Sequence, residues 1–298
     1  MKLLICLAVA GLVTFQCAGQ TDNLATNTKT DSTQENKADS AKPKSTLTLG
    51  AVYCMNADYY GQTAQEKLPY VAAAATYHFK SGIYFTALAY KLVNDTGKRI
   101  ISASNFGAGI DFKISKKLSA DISYSHTFYP GFSPFLQAGN PDNASIALSY
   151  DAWIKPSIIA DYAFGNTSDI FTTAGISKAV TLGSIGKKDV VTITPALSVV
   201  GGTQHFYQTY ITQKKLADSL LGILFTPVTG AQAPGSSSFT KTITTFNILS
   251  YNFKMPLDYN RANYLVEASC QFSMLSNNTE AGAGKVNSFF SFSFYYQF

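Results

Sequence analysis

The three histidines are the first residues in which metal or catalytic chemistry would be sought. His78, His126 and His205 lie on different segments of the 298-residue chain. Zinc sites are built from ligands at short spacings, and the sequence contains no His-x-x-His or Cys-x-x-Cys pair. His78 and His126 also fall on opposite faces of the alternating pattern described below. The sequence therefore predicts no metal site, and we expect no other cofactor.

A serine hydrolase would need a serine and a histidine on one face of the fold. Residues 123–126 read Ser-Tyr-Ser-His. Alternate side chains of a strand point to opposite faces, so these serines and His126 would diverge. The sequence therefore predicts that the protein is not an enzyme. A membrane-embedded hydrolase stays as a third hypothesis that lacks a catalytic set.

The composition indicates a protein with little of its surface in water. Charged residues make up 14% of the chain, against roughly 25% in soluble globular proteins. The 18 tyrosines and 21 phenylalanines are plentiful by comparison. No basic stripe of the kind that binds nucleic acid is present. Nucleic acid is therefore not an expected partner.

The N-terminus predicts export. Residues 1–19 combine Lys2, an apolar stretch and small residues before Gln20, which is typical of a cleaved signal peptide. Lipidation at Cys17 is disfavoured by the bulky residues before it. Residues 20–45 contain one large apolar residue and predict a disordered polar linker. No later stretch reaches the roughly 18 apolar residues of a spanning helix, so any membrane span must be a strand.

From residue 46 to residue 298 the chain alternates in twos between an apolar and a small or polar set. About twelve such segments follow one another, and a slip of parity between Ile248 and Leu249 predicts a bulge. Most segments have the length of a tilted bilayer span, about nine to eleven residues. Short connections alternate with longer ones, and aromatic pairs such as Tyr59-Tyr60 stand near segment ends as in interfacial girdles. We therefore predict an all-β fold, a transmembrane antiparallel up-and-down β-barrel. A secreted or periplasmic β-protein is the less favoured interpretation.

The apolar face of each strand is expected to meet lipid. In the third segment this expectation applies to Tyr84, Leu88, Tyr90 and Leu92. Of the mature cysteines, Cys54 falls on a polar face and Cys270 on an apolar one. These two are therefore expected to remain free thiols.

Charged and amide residues on or near the polar set are the candidates for lining a lumen. They are Asp58, His78, Lys80, Lys91, Asp111, Lys113, Asp121, Glu267 and Gln271. Such residues could set the selectivity of a passage. They could equally pair with one another and fill a narrow barrel. Both interpretations stay open.

The last strand carries one aromatic face, formed by Phe290, Phe292, Phe294, Tyr296 and Phe298. It resembles the terminal strand of bacterial outer-membrane β-barrel proteins. The polar linker and the Tyr/Phe-rich segments resemble porin-like barrels of Bacteroidota. The resemblance implies a location in the outer membrane of a Gram-negative bacterium, contact with its lipids and delivery by the barrel-assembly machinery.

The function that fits best is a channel or porin-like passage for small solutes. The alternative is a structural or adhesive barrel with a closed lumen that acts through its extracellular loops. The long connection at 207–239 could constrict the lumen, cover its mouth or contact a partner.

Overall fold

The computed structural model describes residues 44–94, 100–131, 133–207, 210–211, 245–280 and 282–298. The predicted signal peptide, most of the predicted linker and most of the 207–239 connection lie outside this part of the chain. The strands are β1 (Thr46–Cys54), β2 (Tyr70–His78), β3 (Ile83–Leu92), β4 (Ala103–Lys113), β5 (Leu118–Phe128), β6 (Asp142–Tyr150), β7 (Lys155–Phe164), β8 (Ser168–Ser177), β9 (Val180–Gly183), β10 (Asp189–Ile193), β11 (Ala196–Gly202), β12 (Asn247–Arg261), β13 (Tyr264–Leu275) and β14 (Val286–Gln297). A 3₁₀ helix spans Leu136–Gly139.

The described strands form one antiparallel sheet that closes on itself. Twelve of them make the ring, β1 to β8 followed by β11 to β14, and the circle closes where β1 pairs with β14 and β11 pairs with both β8 and β12. The short β9 and β10 form a hairpin that continues beyond the wall and pairs with the end of β12. The predicted transmembrane barrel of about twelve strands is confirmed.

The two ends of the barrel differ in their connections. One end, here called the turn end, holds the start of β1, the end of β14 and short turns such as residues 262–263. The other, the loop end, holds the longer connections at 55–69, 129–141 and 203–246. None of the helices within the described residues is long and apolar enough to cross a membrane.

The wall is apolar on its outside. In β14 the aromatic face predicted from the sequence points outward, and the Phe292 side chain is 55% exposed. Ser291, Ser293 and Tyr295 point into the barrel between those aromatic residues. Such a band of exposed apolar side chains is stable in hydrocarbon and unfavourable in water.

The parity slip in β12 is a bulge, as predicted. Val200 of β11 faces Ser250, whereas Gly201 faces Ile248, so Leu249 has no partner in β11. Leu249 and Ser250 are both fully buried. The extra residue turns the start of β12 toward the interior, where it meets the connection that follows β1.

The prediction for β3 was wrong. Tyr84, Leu88 and Leu92 are buried inside the barrel, and Ile83 and Phe85 form the lipid-facing side. The inward apolar residues are retained because they have partners there. Leu92 packs in an internal cluster, and the Tyr84 hydroxyl donates to Asp121 Oδ2 at 2.9 Å.

The prediction of two free thiols was wrong for Cys54. Cys270 is free, but Cys54 is disulfide-bonded. The prediction compared only Cys54 with Cys270, which do face opposite sides of the wall. The prediction also assumed that Cys6 and Cys17 are removed with the signal peptide or lie at its edge.

Candidate functional site: a plugged lumen

The connection between β1 and β2, residues 55–69, folds into the barrel and is here called the plug. Its tip is a tight turn in which the Tyr59 and Gln62 backbones bond reciprocally at 2.9 and 3.0 Å. Tyr60 and Gly61 occupy the left-handed region, with φ of 54° and 83°. That conformation is uncommon for a bulky residue and is held only where the surroundings fix it. A Cβ on Gly61 would stand 2.6 Å from the Ser250 hydroxyl, so glycine is required there.

Hydrogen bonds from three strands on the β14 side of β1 fix this turn. The Ser250 hydroxyl donates to the Tyr60 carbonyl at 2.9 Å, and Asn287 Nδ2 donates to the Gly61 carbonyl at 2.8 Å. Asp58 Oδ1 accepts from the Gly61 amide at 2.7 Å, and its Oδ2 accepts from Gln271 Nε2 at 2.8 Å. The plug is therefore attached to β12, β13 and β14 through its backbone and one carboxylate.

Aromatic side chains fill the space around the tip. Tyr59 and Tyr60 are 3% and 4% exposed. The Tyr60 ring stacks on Phe171, with centroids 3.6 Å apart and planes at 17°, and Tyr59 meets Phe206 edge-on at 4.7 Å. The prediction of Tyr59-Tyr60 as interfacial girdle residues was therefore wrong. Strand β1 ends at Cys54, and the next residues turn inward.

The plug crosses the whole barrel. In a ring of twelve strands, β7 and β8 stand opposite β1 and β2, the strands that the plug connects. Tyr59 and Tyr60 nevertheless pack in one cluster with Ala163 of β7 and Phe171 of β8. The lumen is therefore closed across its width near the loop end.

Two further segments of the loop end fold inward beside the plug. Leu136, in the 3₁₀ helix, joins the cluster around Tyr59, as do Phe206 and Tyr210, which follow β11. Phe135 packs in a second internal cluster with Tyr70. Three connections therefore meet inside the barrel, which the sequence did not predict.

Asp169 connects two of these segments. Its side chain is fully buried, and its Oδ2 accepts from Asn140 Nδ2 at 2.7 Å and from the Phe206 amide at 2.8 Å. Its Oδ1 accepts from the Thr203 hydroxyl and the His205 amide, both at 2.7 Å. Sequence analysis missed this residue because its partners come from connections with no periodicity to place them.

A small pocket with room for about one water molecule lies beside the plug. It is lined mainly by aromatic and small residues, namely Ala57, Tyr70, Tyr90, Ala103, Thr127, Tyr129, Phe135 and Gln137.

The candidate lumen residues fall into three groups. Asp58, Glu267 and Gln271 lie inside the barrel on the β12–β14 side, where Gln271 contacts Asp58. His78, Asp111 and Asp121 lie inside on the opposing wall, with His78 Nε2 2.5 Å from Asp111 Oδ1. The third group is the three lysines, Lys80, Lys91 and Lys113, which belong to neither of these two sets.

Of these three lysines, Lys80 lies in the exposed turn after β2, and Lys113 lies on the inner parity at the exposed end of β4. Lys91 pairs with Val71, whose side chain faces outward. The assignment of Lys91 to the lumen was therefore wrong, because the parity of the whole β3 strand is reversed.

The interior carries an excess of negative charge. Among the described residues, six carboxylates of the strands point inward, namely Asp111, Asp121, Asp161, Asp169, Asp258 and Glu267, and the plug adds Asp58 and Glu66 against Lys67. Three lysines share the inner parity, namely Lys113, Lys155 and Lys254. A lumen with this surplus attracts cations and repels anions.

Asp58 makes plug docking depend on pH. It lies in the connection between β1 and β2, and burial raises the pKa of its carboxyl from 3.8 to about 7, against the opposing effect of bonds from Gly61 and Gln271. A docked plug therefore binds a proton between about pH 4 and pH 7 that a released, solvated plug does not. Docking then weakens as pH rises through this window, by at most about 1.4 kcal/mol per pH unit.

We expect the wild-type protein in a planar bilayer to be open more often at pH 8 than at pH 5. Asp58→Asn resembles the protonated carboxyl at every pH, so its open fraction should be low and should not change between these values. An equal pH response in both proteins would show that another group controls docking.

Comparisons with known proteins find likeness only among solved structures. No family model matches the sequence, and no curated protein matches it significantly. Among solved structures, a KdgM porin aligns with a TM-score of 0.45 and 9% identity, over 84% of this chain and 99% of that one. The COG4313 outer membrane channel from Pseudomonas putida F1 aligns at 0.44 and 8% identity, over 89% and 100%. LpxR from Salmonella typhimurium aligns at 0.42 and 8% identity, over 84% and 99%. These neighbours are outer-membrane β-barrel proteins, and at these TM-scores and identities the likeness assigns neither a family nor a function to this chain.

Proposed function

We propose that the protein is a porin-like channel of the bacterial outer membrane that passes small solutes and favours cations. The observation that carries this proposal is the plug. It closes a polar, net acidic lumen by means of a connection between strands, and not by wall side chains that fill the barrel. A connection can leave the lumen without breaking the pairing of the strands.

The geometry of the plug supports a gate. Its tip holds Tyr60 in an unfavourable backbone conformation, and it is held by a few hydrogen bonds to β12–β14 and by one aromatic cluster that reaches β7 and β8. Release of the plug from the lumen would relieve the backbone strain at Tyr60 and expose the Asp58 carboxyl to water. A permanent core would be expected to contain neither feature.

Ion selectivity tests this proposal. The refolded protein is placed in a planar bilayer under a potassium chloride gradient, and the reversal potential is measured. We expect open events whose reversal potential lies toward that of potassium, because inward carboxylates outnumber inward lysines. An anion-selective potential would contradict the assigned role of the carboxylates. Absence of any open event would favour a closed barrel that acts through its loops.

The aromatic face of β14 is proposed to serve assembly as well as lipid contact. The Phe298 amide donates to the Leu47 carbonyl at 2.9 Å, and its side chain is exposed on the outer face. Deleting Phe298 removes one ladder bond, a cost of about 1 kcal/mol. We therefore expect the deletion to lower the amount of protein in the outer membrane far more than it lowers the melting temperature of refolded barrel.

The measurement compares heat-modifiable gel mobility in membrane fractions with the melting temperature of protein refolded in detergent. Deletion of Lys44, ahead of β1, is the matched control. Normal membrane levels after loss of Phe298 would contradict the assembly role.

A further inference from the structure

Three side chains form a row on the inner face of the β12–β14 wall. Asp258 of β12 pairs with Glu267 of β13, and Glu267 pairs with Ser293 of β14. All three have inward parity, and Glu267 and Ser293 are 2% and 0% exposed. Cross-strand neighbours on one face lie about 5 Å apart at Cβ, so the three side chains are adjacent on the inner face of the wall.

Each of these side chains has an oxygen without a hydrogen-bond partner. They are Asp258 Oδ1, Glu267 Oε2 and Ser293 Oγ, all shielded from solvent. Nearly all buried polar groups in native proteins are bonded, and an exception points to a bound water or ion. Here three exceptions stand side by side, and the hydroxyl of Ser293 is one of them.

The carboxyl groups of this wall share one nearby cation. Lys254, which pairs with Gln271, acts electrostatically on Asp58, Asp258 and Glu267. It makes no hydrogen bond to the two unpartnered carboxylate oxygens. Burying unpaired negative charge costs several kcal/mol, so these oxygens need a proton or a second cation.

We propose that Asp258, Glu267 and Ser293 bind a hard divalent cation, Ca²⁺ or Mg²⁺, inside the barrel wall. Carboxylate and hydroxyl oxygens are the ligands that these ions prefer, and water from the lumen completes their coordination. In the described part of the chain no three His, Cys, Asp or Glu side chains converge on a metal. The Ser293 hydroxyl is therefore the third protein ligand. This site does not require that solutes pass through the lumen.

Calorimetric titration of the refolded protein with calcium chloride, in detergent and at neutral pH, tests the site. We expect saturable binding with one ion per barrel and a rise in melting temperature, because the ion binds only the folded state. Glu267→Gln should weaken binding by at least about tenfold, in line with loss of a charged ligand. Asp151→Asn, in an exposed turn outside the wall, should bind like the wild type.

A second variant keeps the test informative if Glu267→Gln folds poorly. Lys254→Met removes a neighbouring positive charge that repels a bound cation, so it should bind Ca²⁺ more tightly than the wild type. The proposal is overturned if the wild type shows no saturable binding, since the row then holds a proton or water. It is also overturned if folded Glu267→Gln binds as well as the wild type, or if Lys254→Met binds no more tightly.

Discussion

Arginine in place of Phe292 is expected to prevent stable insertion of the barrel. Phe292 stands midway along β14 with its ring on the outer face, paired with Tyr53 of β1 and Ala268 of β13. A cationic side chain at the bilayer midplane costs about 2–4 kcal/mol in such barrels, whereas the cost near an interface is about 0–1 kcal/mol. The loss is a large part of the stability of a typical domain.

Val286→Arg is the matched control, because Val286 is on the same face of β14 at its loop-end terminus. Folding into lipid vesicles is followed at increasing urea concentration by heat-modifiable mobility. The midpoint should fall strongly for Phe292→Arg and little for Val286→Arg. Equal midpoints would contradict the placement of this face in lipid.

Alanine in place of Asp169 is expected to release the loop-end segments from the lumen. The substitution leaves the donors of Asn140, Thr203, His205 and Phe206 without their shared acceptor inside the barrel. Hydrogen bonds to a charged group contribute about 1.5–3 kcal/mol each, and removing one partner of a buried charged network costs about 3–5 kcal/mol. The strand pairing of the wall is not affected directly.

Limited proteolysis measures this release. Fragments that begin or end in residues 129–141 or 203–211 should appear much faster from Asp169→Ala than from the wild type. Asp151→Ala, in an exposed turn at the other end, should match the wild type. If the Asp169 variant resists protease as the wild type does, the carboxylate does not hold these segments.

The sequence allowed the wall to be predicted because its signal repeats. Strands such as β14 alternate over their full length between lipid and lumen, so the parity of Phe292 follows from its neighbours. The bulge at Leu249 was visible for the same reason, as a break in a regular pattern. Alternation predicts which face a residue occupies, and it succeeded wherever the inner face is polar.

The prediction failed where the interior is apolar. In β3 the inward Tyr84, Leu88 and Leu92 are larger and more apolar than a water-filled lumen would allow. Leu92 packs with Ala57 and Leu68 of the plug, and Tyr84 bonds to Asp121 across the inner wall. The plug itself has no periodicity, so Tyr59 and Tyr60 were assigned to the strand before them.

Several residues of the interior could be named from the sequence, but their contacts could not. Asp58 and Gln271 are far apart in the chain, and their hydrogen bond depends on how the plug folds into the barrel. The row of Asp258, Glu267 and Ser293 depends on the register of three strands. The face that a strand residue occupies follows from its immediate neighbours in sequence. The register of the strands and the position of the loops depend instead on closure of the whole barrel.

Single-channel recording of the wild type beside a shortened plug tests most directly whether residues 55–69 close the lumen. In the variant, residues 57–66 are replaced by a short Gly/Ser turn, and heat-modifiable mobility confirms that the barrel has formed. If the plug closes the lumen, we expect brief and infrequent openings for the wild type and long-lived, larger conductance steps for the variant. A folded variant that stays as closed as the wild type would show that residues 55–69 do not close the lumen.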